Sequence, residues 1–434
     1  MRREIVHEGA EQLKYEIREI VLFARQIAAF GQPIFWENIG DPIEKGEQIA
    51  PWIKEIIARL TQEDASYGYT DSQGDLEARA FLAAEGNRRG GAQITADDVV
   101  FFNGLGDAVA KLFGFLKREA RVIGPTPAYS THSSAEAAHS GYDHLTYSLD
   151  ADNDWLPDLK EMRNKVRYND SIAGILLINP DNPTGVVYKR PILEEIAAIA
   201  KQHDLFIIAD ETYANVVFPG TEWTSLSEVI GDVPAISMRS VSKEFPWPGA
   251  RCGWIEVYNR TRDAGFNAYI QSLINAKRLE VCSTTLPQKS IPEVMGSPRY
   301  PAHLEMRSKM LHARAEEAYE LLKDVPGIRV MMPQGALYMT VLFDDGILNE
   351  RQSLPIAEPE IRKFVEEKTA GLPLDKRFVY YLLGATGICV VPLTGFYSTL
   401  QGFRFTLLEN DDAERKRIYT ALRDAVSTYL GSAG

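Results

Sequence analysis

The chain has 434 residues, 45% hydrophobic and 25% charged, an ordinary globular composition that excludes disorder and allows a large core. Lys and Arg total 47 against 60 Asp and Glu, and the net charge of −13 argues against nucleic acid or an anionic membrane surface as partner. Three widely spaced cysteines, Cys252, Cys282 and Cys389, make no metal or disulfide pattern, and no apolar run approaches the roughly 20 residues of a membrane span, so the expectation is a cytoplasmic protein without a metal.

In chain order, residues 1–10 alternate charged and apolar side chains and lack the apolar core of a signal peptide. Residues 11–30 carry apolar side chains at helical spacing, stopped by Gly31, Gln32 and Pro33. Asn38-Ile-Gly40-Asp-Pro42 then signals a turn with close backbone approach. From about residue 97 to 258, short apolar runs at 98–102, 120–123, 173–178, 205–209 and 235–237 alternate with helical segments such as 193–203, the pattern of buried parallel strands. His139 and His144, five apart in a polar stretch with Gly141, are expected to be solvated loop histidines. Residues 301–323 form one long helix ending at Pro326-Gly327. Strand-like runs at 328–330 and 336–342 follow, then a helix over 359–369 and a last helix over 411–430. The expected organisation is a large α/β domain over 44–300 and a smaller α+β domain built from 1–43 and 301–434, with 344–380 a long connection.

Ligands of α/β sheets bind beyond the carboxyl ends of the strands, and four such ends stand out. After the strand at 98–102 comes Asn103-Gly104-Leu105-Gly106-Asp107, opening a helix whose bare backbone N–H groups suit a phosphate; alone it fits a tight strand-to-helix turn equally well. Val109 stands where a dinucleotide fingerprint needs its third Gly, which disfavours a dinucleotide. The strand ending at Ile178 runs into Asn179-Pro-Asp-Asn182-Pro-Thr-Gly185. The next ends in Asp210-Glu-Thr-Tyr213, and the one at 235–237 precedes Ser240-Val-Ser242-Lys243, with Arg251 eight residues past the lysine.

Together and in this order, these segments resemble the class I/II aminotransferase family of the fold type I pyridoxal-phosphate enzymes, over about residues 15–430. The resemblance implies a large domain with a mostly parallel seven-stranded sheet flanked by helices, a smaller α+β domain, and pyridoxal 5'-phosphate as cofactor. Lys243 matches the lysine that links to the cofactor aldehyde and later moves the substrate's α-proton; its free pKa is about 10.4, so the site must favour the neutral amine. Asp210 matches the aspartate that pairs with the pyridinium nitrogen, and Tyr213 and Asn182 match the groups that hydrogen-bond the ring's phenolic oxygen. Ser240, Ser242 and Arg251, with the backbone of Gly104, Leu105 and Gly106, match the phosphate site. Gly106 departs from the Ser or Thr of many relatives, so backbone must compensate for a missing hydroxyl. Tyr129, in Pro125-Thr-Pro-Ala-Tyr129, matches the aromatic stacked on the cofactor ring. Arg404 matches the arginine that clamps the substrate α-carboxylate, and Gly40 the residue whose backbone closes over it. Tyr69 matches a tyrosine that reaches the phosphate of the neighbouring subunit's cofactor, which implies a homodimer with shared sites.

Tyr15-Glu-Ile-Arg18, Gly68-Tyr-Thr-Asp-Ser72, Asp154-Trp-Leu-Pro-Asp-Leu159 and Gly335-Ala-Leu-Tyr-Met339 are most similar to the bacterial alanine (glutamate-pyruvate) transaminase group. There Tyr15 and Arg18 correspond to residues lying over the substrate. The implied activity is a ping-pong exchange of an amino group between an L-amino acid, alanine-type or broad with glutamate as partner, and a 2-oxo acid. Lys277 and Arg278 are the nearest candidates for a second carboxylate. Phe245-Pro-Trp-Pro-Gly249 departs from that group. The alternatives left open are other enzymes with the same lysine site, such as a C–S lyase or an aspartate or aromatic aminotransferase, and more remotely a non-catalytic regulator.

Overall fold

A computed structural model describes residues 5–13 and 16–433. Helix α1 (Glu16–Ala29) and the short strand β1 (Phe35–Trp36) lead to α2 (Pro51–Leu60) and α3 (Leu76–Arg88). Strands and helices then alternate through β2 (Val99–Phe102), α4 (Leu105–Gly114), β3 (Arg121–Thr126), α5 (Ser130–Ser140), β4 (Thr146–Asp150) and β5 (Leu156–Pro157). The alternation continues with α6 (Leu159–Tyr168), β6 (Ile172–Ile178), α7 (Arg190–Gln202), β7 (Phe206–Asp210) and β8 (Ala235–Ser240). The single-turn α8 (Val241–Glu244), β9 (Gly253–Tyr258), α9 (Ala264–Leu279) and α10 (Thr285–Met295) complete this part.

Eight strands form one sheet in the order β2-β9-β8-β7-β6-β3-β4-β5, rather than the seven implied by the resemblance; the two-residue β5, antiparallel to β4 at the edge, is too short to read from periodicity. The β8-β7-β6-β3-β4 stretch is parallel throughout, and β9 runs antiparallel between β8 and β2. Alternate residues feed opposite faces: Phe101, Ile175, Leu177 and Ile207 join one apolar cluster, Phe102, Leu176, Ile208 and Ile236 the other. Both faces are covered, which is why these strands are apolar along their whole length. From β3 the chain moves to β4 on one side, and from β6 to β7 on the other. The loops after β3 and β6 therefore part at their carboxyl ends and open a crevice.

The long α11 (Tyr300–Leu322) leads to a second, antiparallel sheet, β10-β11-β14-β13, formed by β10 (Ile328–Val330), β11 (Tyr338–Phe343), β13 (Val391–Pro392) and β14 (Gly402–Thr406). Around it pack α12 (Pro359–Thr369), α13 (Leu374–Thr386) and α14 (Asp412–Gly431), while β12 (Ile388–Cys389) pairs with β1. Ile20, Ala24 and Ile27 of α1 share this apolar cluster with Leu311, Ala318 and Leu382. The stretch 344–380 is thus no plain connection: it holds α12 and the first half of α13, a helix whose Phe378, Val379, Leu382 and Leu383 are fully buried. His144 also departs from expectation. It is buried, with Nδ1 3.2 Å from Glu136 Oε2, while His139 lies on α5 and bonds the Lys117 carbonyl. No helix among the described residues is long and apolar enough to cross a membrane.

Candidate active site

The register of the parallel strands builds the floor. Ile178, the last residue of β6, pairs with Asp210, the last of β7, and Asp210 with Met238 of β8. The Asn179–Gly185 loop, the Asp210 carboxylate and the Ser240–Lys243 turn thereby emerge side by side into a cavity of about 610 Å³.

At one end of this cavity lies the first turn of α4. Gly104, its N-cap, has φ 84° and ψ 163°, a conformation that only glycine adopts readily, and a Cβ there would fall 2.1 Å from Arg251 Nη2. Its missing side chain lets Arg251 lie against the turn. The hydroxyl of Ser240 caps α8 by accepting from the Ser242 N–H at 3.1 Å, and Ser240, Ser242 and Arg251 all line the cavity beside Leu105 and Gly106. N–H groups at a helix start, two hydroxyls and a guanidinium form a phosphate-type donor set. Gly106 is exposed, and a Cβ built on it meets nothing within 4 Å.

Asp210 occupies the floor. Burial alone would raise its pKa, but His132 Nε2 at 2.8 Å and the Thr212 N–H and hydroxyl at 3.0 and 2.6 Å outweigh it and hold the carboxyl below its ordinary range. The result is a fixed negative charge facing the cavity. Tyr213 is buried with its hydroxyl 3.0 Å from that of Tyr338, and burial followed by the Tyr338 neighbour raises its pKa well above the usual value. Tyr129, at the start of α5, lines the cavity and meets His132 edge-on at 6.3 Å between ring centroids.

Arg404 lines the same cavity from the second sheet. It is fully buried in the middle of β14, opposite Thr340 and Val391. Its Nη1 donates to Asn182 Oδ1 at 3.2 Å, its Nη2 donates to the Asn38 carbonyl, and its guanidinium lies 4.2 Å over the Tyr338 ring. Lys243 Nζ donates to the Gly40 carbonyl at 2.5 Å. A Cβ on Gly40 would fall 2.1 Å from the Tyr338 hydroxyl, so this backbone approach requires glycine.

The structure therefore brings Lys243, Asp210, Tyr213, Asn182, Tyr129, Ser240, Ser242, Arg251, Leu105, Gly106, Gly40 and Arg404 around one cavity, with Gly104 behind Arg251 and exposed Arg18 at the mouth. Tyr69 lies outside it, 85% exposed, and Tyr15 falls outside the described residues. Lys277 and Arg278 do not reach it. Lys277 is fully buried, bonding Glu280 and Ser283 at 2.6 and 3.0 Å, and Arg278 is exposed against Asn275. Sequence reasoning missed several lining groups, His132, Thr212 and Tyr338 among them. His132 lies one helical turn after Tyr129, a spacing that placed both on one face; Thr212 stood within the Asp210–Tyr213 motif and Tyr338 within Gly335–Met339.

The fit to pyridoxal phosphate is chemical: an anion-type donor set, a buried carboxylate held charged, an aromatic ring and a lysine amine all line one cavity. This fold and this set define a fold type I pyridoxal-phosphate enzyme. The family model "Aminotransferase class I and II" matches residues 38–422, and the chain belongs to that family as a pyridoxal-phosphate-dependent aminotransferase. It is 52% identical over 430 residues to an uncharacterized aminotransferase of Methanocaldococcus jannaschii, covering 99% of this chain and all of that one. It is 30% identical over 331 residues to the glutamate-pyruvate aminotransferase AlaA of Escherichia coli, covering 76% and 80%. Among solved structures, alanine aminotransferase from Pyrococcus furiosus superposes with a TM-score of 0.83 at 26% identity, over 98% of this chain and all of that one.

Proposed function

We propose that this aminotransferase moves the amino group between a small monocarboxylic L-amino acid of the alanine type and a 2-oxo acid, with glutamate as the second donor, in two half-reactions at one site. The observation that carries the reading is the buried Arg404, which the second sheet brings to the cavity that Arg251 also lines, with Arg18 as an exposed cation of the same lining. The names of AlaA and of the Pyrococcus enzyme support the same substrates.

Gly104, Leu105, Gly106, Ser240, Ser242 and Arg251 would hold the cofactor phosphate, Asp210 the ring nitrogen, Tyr213 and Asn182 the phenolic oxygen, and Tyr129 one ring face. When bound, the cofactor supplies an electron sink for the charge left as the α-proton departs. Asp210, kept ionised by His132 and Thr212, holds the proton on the ring nitrogen. Lys243 Nζ, released from the Gly40 carbonyl, would take the α-proton and deliver it on the other side of the transferred nitrogen. Arg404 receives the α-carboxylate as a two-pronged pair, and Asn182 orients its guanidinium. The Asn38–Gly40 backbone closes over that end and excludes water, while Arg18 swings in for the distal carboxylate of glutamate and leaves room for the methyl group of alanine. Aspartate, whose shorter chain places its second carboxylate deeper, lacks a partner there.

Two further parts of the reading concern the assembly. Residues 44–300 act as one domain and 1–43 with 301–434 as the other, a division supported by an apolar cluster centred on each sheet, with Leu342, Val391, Leu393 and Phe396 reaching into the first and Tyr213, Val216 and Phe218 into the second. The enzyme works in the cytoplasm as a homodimer with shared sites; what supports the sharing is Tyr69, 85% exposed and outside the cavity of its own chain.

The test is the spectral change of the cofactor-loaded enzyme with each amino acid separately, and kcat/KM for alanine, glutamate, aspartate, valine and tyrosine. Arg404→Ala is expected to lose about 2–4 kcal/mol of kcat/KM with every substrate, whereas Arg18→Ala penalises glutamate more than alanine. A wild type preferring aspartate to alanine by a factor of about ten or more overturns the alanine-type reading.

A further inference from the structure

Lys243 is gripped from behind by one face of α11. Tyr300, His303 and Arg307, spaced three and four apart, meet the Lys243–Glu244 turn in succession. The Tyr300 hydroxyl donates to Glu244 Oε2 at 2.6 Å, and His303 Nε2 lies 3.1 Å from the Glu244 carbonyl. Arg307 Nη1 donates to the Lys243 carbonyl at 2.5 Å and to that of Glu244 at 3.4 Å. The other edge of the same guanidinium faces away from this turn. Its Nε and Nη2 form a two-pronged pair with Glu47, at 2.5 and 3.1 Å to Oε1 and Oε2. Arg307 is 2% exposed, so both edges are committed in a dry setting where such bonds are strong and directional.

Glu47 ends the segment that closes the carboxylate side of the cavity. Within residues 37–47, the Asn38 carbonyl accepts from Arg404 and the Gly40 carbonyl from Lys243 Nζ. Lys45 ties the two ends of the segment together by pairing with Glu37 at 2.5 Å and pins it to Glu409 at 3.3 Å. The contacts close a ring: Lys243 carbonyl, Arg307, Glu47, the backbone from 47 back to 40, the Gly40 carbonyl and Lys243 Nζ. A shift of the segment therefore reaches the Lys243 main chain through Glu47 and Arg307, and its side chain whenever Nζ is free to bond the Gly40 carbonyl.

We infer that Arg307 is a positioning residue that, through its fork to Glu47, couples the seating of the 37–47 segment to the placement of Lys243, so that closure over the substrate carboxylate and alignment of the proton-moving amine occur together. This rests on the assignment of Lys243 and Arg404 as the working ends of the site. The primary readout, hydrogen exchange, does not depend on that assignment, so the two can fail separately.

The test is hydrogen–deuterium exchange on the cofactor-loaded enzyme, comparing wild type, Glu47→Gln and Arg307→Lys. The Glu47 carboxylate reaches the Lys243–Glu244 turn through the Arg307 guanidinium, so Glu47→Gln decides whether Arg307 transmits. The expected result is faster exchange, about tenfold or more, in both 38–47 and 240–246 for each variant. Arg307→Ala should lower kcat at least about tenfold, with added guanidinium restoring part of it. If Glu47→Gln loosens 38–47 alone, or neither segment, the coupling is refuted. Should Arg307→Ala fail to fold, the Glu47→Gln exchange pattern still separates coupling from its absence.

Discussion

Gly104 and Gly106, the N-cap of α4 and the second residue of its first turn, should respond differently to the same methyl group. Gly104→Ala forces a side chain into a backbone region that is almost reserved for glycine, at a cost of about 1–3 kcal/mol. The new Cβ also falls 2.1 Å from Arg251 Nη2, so the guanidinium must move and its charge-assisted bond to a phosphate is lost, another 1.5–3 kcal/mol or so. The Arg251 share alone predicts cofactor binding roughly 10- to 150-fold weaker. The strain adds to that loss or appears as a lowered Tm of the cofactor-free protein. Gly106→Ala enters open space and should alter stability by no more than about 0.5 kcal/mol. Gly106→Ser should tighten binding by about 0.5–1.5 kcal/mol through an added hydroxyl donor. The assay is equilibrium titration of each cofactor-free variant with pyridoxal phosphate, with thermal unfolding alongside. If Gly104→Ala binds like wild type, or Gly106→Ala loses as much as Gly104→Ala, the assignment of this turn and Arg251 to the phosphate is wrong.

Asp181 is fully buried, and burial, with Asp210 nearby, pushes its pKa up to about 7 although the Thr184 N–H and hydroxyl bond it. A raised carboxyl pKa means the folded state holds its proton longer than the unfolded chain, so stability should fall as pH rises from about 4 to 7; Asp181→Asn, which keeps the Thr184 bonds, should flatten that slope in denaturant titrations. Gly40→Ala should drive the Tyr338 hydroxyl from its place beside the Tyr213 hydroxyl and displace the ring under Arg404, costing about 1–3 kcal/mol in kcat/KM, and a Tyr338→Phe background should lessen the loss; equal losses in both backgrounds would argue against this clash. If Tyr69 completes the neighbour's site, randomly reassembled mixtures of inactive Lys243→Ala and Tyr69→Ala subunits should recover roughly a quarter of wild-type activity, since half the dimers then carry one intact site. No recovery after verified subunit exchange would remove Tyr69 from the shared site.

Much of the cavity was legible because chemistry at the ends of buried strands follows the apolar run directly: Asn182, Asp210, Ser240 and Lys243 each stand within a few residues of a run that local hydrophobicity marks out. Helices with one apolar face, such as α7 and α12, were legible for the same reason. Helix α13 was not. It is apolar nearly all round, buried between α12, α14 and the second sheet, and so carries no one-sided periodicity to read. Nor does local pattern reveal partners chosen over long distances. His132 meets Asp210 across 78 residues, Tyr213 meets Tyr338 across 125, and Arg307 meets Glu47 across 260, because strand order and the path of α11 decide who is adjacent. His144 reads as a solvated loop histidine and Lys277 as a candidate for a second substrate carboxylate, yet each is buried beside a carboxylate of the protein that offsets the cost of leaving water. Residue identity and near-neighbour spacing thus determined which groups stand at the sheet edge. The packing of two sheets through α11 alone decided which charges are paired, which carboxyl stays ionised, and how Arg404 comes to line the cavity that Arg251 also lines.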